Sequence, residues 1–135
     1  MELEPRTFPP HPIRGVRAVY ARQAGCPSDF AEITADFEPW EDGFAFEVAG
    51  NAVVKGCSWA EEVPGFHAAV AAGMGEELAD QGTGTIVAVA VVLRGIRVHA
   101  VDSNDRSFRM AGRLAVRGAL IRAYGPPPRP KHRRT

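Results

Sequence analysis

From Val16 to Arg22 apolar and polar residues alternate, the period of a half-buried β-strand. The alternation returns from Ala31 to Phe37, with Ile33, Ala35 and Phe37 on one face. After an Asp42-Gly43 turn signal it returns again through Phe44, Phe46 and Val48. Three such strands in succession predict an antiparallel sheet with one face covered. The cover is a helix, because Phe66, Ala69, Val70, Gly73, Met74, Glu77 and Leu78 recur at helical spacing, with Pro64 suited to a first turn and Gly82 to a stop. The run from Thr85 to Leu93 is almost continuously apolar and β-branched, which predicts a central strand buried on both faces. Arg94-Gly95 allows a turn or bend before Ile96 and Val98. A last helix is predicted from about Ser103 to Ala123, with Asp102 or Ser103 as its cap and Asp105 complementing its positive end. Its small residues Ala111, Gly112, Ala115, Gly118 and Ala119 permit close backbone approach to a neighbour. The element order β-β-β-α-β-α describes a two-layer α+β sandwich.

The flanks lack this periodicity. Residues 1–14 hold four of the eleven prolines and are expected to be a flexible arm. Residues 125–135, Gly-Pro-Pro-Pro-Arg-Pro-Lys-His-Arg-Arg-Thr, form a Pro-rich basic tail that cannot be helical. One folded domain, Gly15 to Tyr124, remains, and a hydrophobic share of 45% places it among globular proteins. The apolar run from Ile86 to Leu93 is too short to span a bilayer and no signal segment precedes it, so a cytoplasmic protein is expected. Cys26 and Cys57 lack CxxC spacing, and two reduced thiols are the preferred reading, with a bridge between them the alternative. A formal net charge of zero conceals a division: four of the sixteen basic residues lie in the tail, which leaves twelve basic against sixteen acidic groups in residues 1–128. Such a body is not drawn to RNA by its overall charge, so any attraction must come from a local patch or from the tail.

Several local strings carry a resemblance. Arg22-Gln23-Ala24-Gly25, Phe37-Glu38-Pro39, Gly43-Phe44-Ala45-Phe46, Val63-Pro64-Gly65-Phe66 and Ala69-Val70 through Gly73 occur in order. They are followed by Gly95, His99, Val101, Asp102, Ser103, Phe108, Ala111 and Gly112. This ordered set resembles domain IV of elongation factor G, in the elongation factor G and elongation factor 2 family, over most of the folded unit. The resemblance implies the ribosomal-protein type of sandwich with a left-handed β-α-β crossover, an exception to the usual right-handed rule. It also implies that His99 lies on a tip that approaches the messenger–tRNA duplex, where an imidazole can stack on a base or donate to phosphate or a 2′-hydroxyl.

The departures from the family pattern concern chemistry. The glycine-rich first tip loop of the family, with its Arg and His, is replaced by Ala24-Gly25-Cys26-Pro27-Ser28-Asp29-Phe30-Ala31, and residues 51–62 look longer than their counterpart. The chain has no GxxxxGK[ST] phosphate loop, so nucleotide binding and GTPase activity do not carry over. No HExxH or similar metal spacing occurs, and no cofactor is expected. The adjacent acids Glu61-Glu62 and Glu76-Glu77 read as solvated helix faces rather than acid–base pairs.

Arg106, Arg109, Arg113 and Arg117 form a stripe on one face of the last helix. Phosphate contact is one reading of it, but a solvated face is preferred for Arg113 and Arg117. The RNA-binding candidates are therefore His99 and Arg106, Gly25 and Ser28 in the first loop, and Arg129, Lys131, Arg133 and Arg134 in the tail. The function expected is a non-enzymatic, translation-factor-like protein that binds the ribosome, rRNA or tRNA through its tip. The alternative is a protein–protein interaction or self-association module that kept the fold and lost RNA binding. Neither reading involves a membrane or a nucleotide.

Overall fold

The structure, a computed structural model, describes residues 4–22, 29–56 and 58–126. Its elements in chain order are β1 (Arg6–Phe8), β2 (Ile13–Arg22), β3 (Asp29–Pro39), β4 (Gly43–Gly56), α1 (Val63–Ala79), β5 (Thr85–Val98) and α2 (Asp105–Tyr124). The α+β sandwich is as expected, with one strand more than the alternation indicates.

The sheet itself is mixed rather than antiparallel throughout. β2 pairs antiparallel with β3, and β3 pairs antiparallel with β5. The other edge of β5 is shared, with β1 parallel to residues 85–87 and β4 parallel to residues 88–98. Alternation reports which residues face the core but not which strand lies alongside. Asp42-Gly43 therefore does not close a hairpin. Residues 40–42 carry the chain past β5, where the Trp40 amide donates to the Ala88 carbonyl at 2.9 Å, and β4 begins on its far side.

β5 is central, and it continues without interruption to Val98. Arg94-Gly95 is a bulge within it: Ala35 pairs with Leu93 and Thr34 with Gly95, so Arg94 is the extra residue. The bulge keeps both Leu93 and Ile96 on the buried face, although a regular strand would turn residues three apart to opposite sides. Burial on both faces is not what the structure shows. Val89, Val91, Leu93, Ile96 and Val98 are buried in the core with the helices, and Val87 packs against that core, whereas on the other face Ala88 is buried, Ala90 and Val92 are half-buried and Ile86 is exposed. Both helices lie on the same side of the sheet.

The open side carries ion pairs: Arg17–Glu32 at 2.9 Å, Arg97–Glu32 at 3.5 Å, Arg94–Asp36 at 2.8 Å and Arg14–Glu38 at 2.7 Å. Asp36 also accepts the Gly15 amide at 2.8 Å, which joins a turn in β2, where Gly15 has φ +67°, to the Arg94 bulge. The Arg17 hydrogen bond and the nearby cations hold the Glu32 carboxyl below the usual glutamate range. A carboxyl lowered in the folded state stabilises the fold above its unfolded value and loses that contribution as pH falls through the folded value. Glu32→Gln is accordingly expected to lower the thermal midpoint at neutral pH and to leave it unchanged in strong acid. An equal loss at both would show that charge is not the cause.

The N-terminal segment departs most from the flexible arm expected for residues 1–14. β1 joins the sheet beside β5, and the Phe8 side chain is fully buried, edge-on to Phe37 at 6.0 Å. The Tyr124 hydroxyl donates to the Thr7 carbonyl, and the Arg6 guanidinium lies 3.9 Å from the Tyr124 ring centroid. Proline content marks the absence of a helix here, not the absence of burial. Between the helices, Phe66 and Phe108 stack at 4.6 Å, and the two backbones touch at Gly73 and Gly112. The face expected for α1 is the one found, with Phe66, Val70, Gly73, Met74, Glu77 and Leu78 buried.

Candidate functional site

The start of β3 and the turn from β5 into α2 meet at one end of the sheet. The Phe30 amide donates to the Asp102 carbonyl at 3.0 Å, and the Ser103 amide donates to the His99 carbonyl at 3.0 Å. The Ser103 hydroxyl accepts from the His99 amide at 2.9 Å and donates to the Phe30 carbonyl at 2.7 Å. Ser107, fully buried, places its hydroxyl 3.1 Å from the same carbonyl. Asn104 accepts the Ser107 amide at 2.8 Å and donates to the buried Asp29 carboxylate at 3.0 Å. β3 is thus tied to the α2 terminus several times over, and the turn is fixed by side chains as well as by its own backbone.

This bracing carries a ring pair. The His99 imidazole lies flat on Phe30, with centroids 3.8 Å apart and planes 7° from parallel. His99 is exposed and Phe30 half-buried, so one face of the imidazole is backed by protein and the rest is presented outward. An imidazole so held offers a flat surface for stacking and ring nitrogens for hydrogen bonding.

Asn104, not Asp102 or Ser103, is the helix cap. Ser103 is engaged with Phe30, and the Asp102 contribution to the bracing is its main-chain carbonyl. Asp105 does stand in the first turn of α2, where a carboxylate complements the positive helix end.

Three of the four arginines in the stripe are held in ion pairs between the helices. Arg109 lies 3.4 Å from Glu76. Arg113 reaches Glu76 at 3.0 Å and Asp80 at 2.7 Å, and Arg117 donates to Glu77 at 3.0 Å. Glu77 is only 8% exposed; its Oε1 lies 3.1 Å from Arg113 Nη2 but lacks hydrogen-bond geometry. Glu76-Glu77 is thus half of an interhelical ion-pair seam. The Glu76 and Asp80 hydrogen bonds hold the Arg113 guanidinium above its ordinary range. Arg106 is exposed and forms no ion pair among the described residues. Gly25, Ser28, Arg129, Lys131, Arg133 and Arg134 lie outside the described residues, as do Cys26 and Cys57.

Of the candidates named from sequence, the structure places His99 and Arg106 at this end of the molecule and adds Asp29, Phe30 and Asn104 as its supports. Phe30 carries a signal in the sequence, because an aromatic stands there on the polar face of an otherwise alternating strand. Among the described residues no group of three or more His, Cys, Asp or Glu gathers as metal ligands, and no helix is long and apolar enough to cross a membrane.

Residues 10–124, which include both sides of this braced turn, match the profile of elongation factor G, domain IV. Over 110 residues the chain is 36% identical to elongation factor G 2 of Streptomyces coelicolor, covering 78% of this chain and 16% of that protein. It is 34% identical over 110 residues to elongation factor G of Dehalococcoides mccartyi, covering 77% and 15% respectively. The chain thus spans about one sixth of the length of these relatives. A solved chain from Thermus thermophilus has the same fold, with TM-score 0.65 at 22% identity over 91% of this chain and 18% of that one.

Proposed function

This chain belongs to the elongation factor G domain IV family, and from that premise we propose that it serves translation as a non-enzymatic domain that meets the ribosome with its His99 end. The observation that carries the proposal is the exposed imidazole stacked on Phe30 and braced from two elements. A ring held in this way can stack on an unpaired base or donate to a phosphate or 2′-hydroxyl of rRNA or tRNA with little further ordering. Charge contributes less. Three arginines of the α2 stripe are paired with α1 carboxylates, which leaves Arg106 as the cation of that stripe available to phosphate. Arg129, Lys131, Arg133 and Arg134 would supply the remaining phosphate contacts. The reading needs no cofactor, bound nucleotide or membrane.

Co-sedimentation of the purified protein with ribosomes at low and moderate salt tests this. The salt dependence of binding steepens with the number of phosphates that the protein neutralises. Removal of residues 127–135 is therefore expected to flatten it, whereas His99→Ala should weaken binding about tenfold at every salt concentration. Failure to pellet with ribosomes at low salt would sink the proposal, and unchanged binding by His99→Ala would remove His99 from the contact.

A further inference from the structure

β4 and β5 run in parallel to their ends, where Gly56 pairs with Val98. Their backbones are so close that a Cβ on Gly56 would stand 1.9 Å from the Val98 carbonyl oxygen. The residues that follow each strand are consequently brought to one place. Trp59 and Ala100 share a cavity there, lined also by Gly56, Ser58 and Glu62.

Trp59, which lines this cavity, and Val101, the chain neighbour of Ala100, are the two most exposed large hydrophobic side chains of the described residues, at 73% and 91%. Trp59 is fixed at its backbone: its carbonyl accepts the Glu62 amide at 2.9 Å, and its amide donates to the Glu62 carboxylate at 3.3 Å. The indole is therefore presented on an ordered turn rather than a loose loop, which lowers the ordering cost of any contact it makes. Exposed Trp on an ordered backbone is the type of residue that dominates binding energy at protein interfaces.

The rim indicates what kind of surface fits. Glu61 and Glu62 follow Trp59 closely, and Asp102 follows Val101. Asp105 borders the same region, with Oδ1 3.7 Å from the position of a Cβ on Gly65 at the start of α1. Arg106 is the neighbouring cation. Four carboxylates against one guanidinium attract cationic side chains.

We propose that the Trp59–Val101 surface docks a basic protein segment, one that places an apolar side chain against the indole and lysine or arginine side chains against Glu61, Glu62, Asp102 and Asp105. The proposal does not depend on RNA binding by His99, because neither apolar contact involves a nucleic acid.

Trp59 emission, followed in a Trp40→Phe background, gives the test on the full chain. The probes are a short synthetic peptide alternating arginine and leucine, polylysine of matched charge, and an oligouridylate. The arginine–leucine peptide is expected to shift Trp59 emission to the blue and to saturate. Val101→Ser should weaken it about tenfold, and the paired Glu61→Gln, Glu62→Gln variant should weaken it while flattening its salt dependence. Peptide anisotropy against Trp59→Ala should show the same weakening without relying on the indole, and circular dichroism establishes that each variant is folded. Absence of peptide binding, an equal response to polylysine, or a response to the oligouridylate alone would each overturn the proposal. The last of these would assign the indole to base stacking.

Discussion

Phe8→Ala is expected to destabilise the domain by about 3–5 kcal/mol, the range for emptying a fully buried phenylalanine site. The ring has no exposed surface and lies against Phe37 and Tyr124, two residues of the folded body. Its backbone is also committed, since β1 pairs with residues 85–87 of the central strand. The cavity left behind would be bounded by strands on one side and α2 on the other, neither of which can collapse into it without breaking pairing. At this chain length the thermal midpoint should fall by about 10 °C or more. Chemical denaturation of wild type and variant measures the difference directly. A loss below about 1 kcal/mol would mean that residues 6–8 are an accessory arm, as their proline-rich context suggests.

The faces of the elements were legible in the sequence, because burial follows a period that each element displays by itself. The buried residues of β3 and α1 are those the spacing selects. Neighbour relations were not legible. Nothing in residues 39–44 states that β5, some forty-five residues later, will occupy the gap between β3 and β4. The arginine stripe was misread for the same reason. Helix periodicity identifies Arg109, Arg113 and Arg117 as one face, but only tertiary packing brings Glu76, Glu77 and Asp80 opposite to them.

At the tip the difficulty was a choice among equivalents. Asp102, Ser103 and Asn104 are all residue types that cap helices. The structure selects Asn104 because the Ser103 hydroxyl is taken by the Phe30 carbonyl, a contact between positions 73 apart in the chain. His99 was legible only through the resemblance, and its stacking partner only as an aromatic on the polar face of β3. These placements also bear on how such a domain would meet RNA. With three stripe arginines tied to acids of α1 and its C-terminal end, RNA recognition of the kind proposed would rest more on shape and ring contacts than on charge.

Gly73→Ala and Gly75→Ala, two residues apart on α1, are expected to change stability in opposite directions. Alanine gains about 1 kcal/mol over glycine in a helix interior, so propensity favours both changes equally. Space decides between them. A Cβ on Gly73 would stand 1.9 Å from the Arg109 carbonyl oxygen and 2.8 Å from its carbon, both backbone atoms of α2. Gly112 makes the reciprocal approach, its Cβ position lying 2.3 Å from the Val70 carbonyl oxygen. Relief would require the helices to separate, which loosens the Phe66–Phe108 stack and stretches the ion-pair seam between Arg113 and α1. Overpacking of this kind costs about 1–3 kcal/mol and more where backbone must move, so Gly73→Ala should lose about 2 kcal/mol net. A Cβ on Gly75 meets only the Phe44 ring at 3.6 Å, an ordinary contact, and this variant should be more stable than wild type by up to about 1 kcal/mol. Denaturant midpoints for the two variants separate the effects, since helix propensity alone would raise both. If Gly73→Ala were stabilised as much as Gly75→Ala, the close approach of the helices would not be what sets the small residue at position 73.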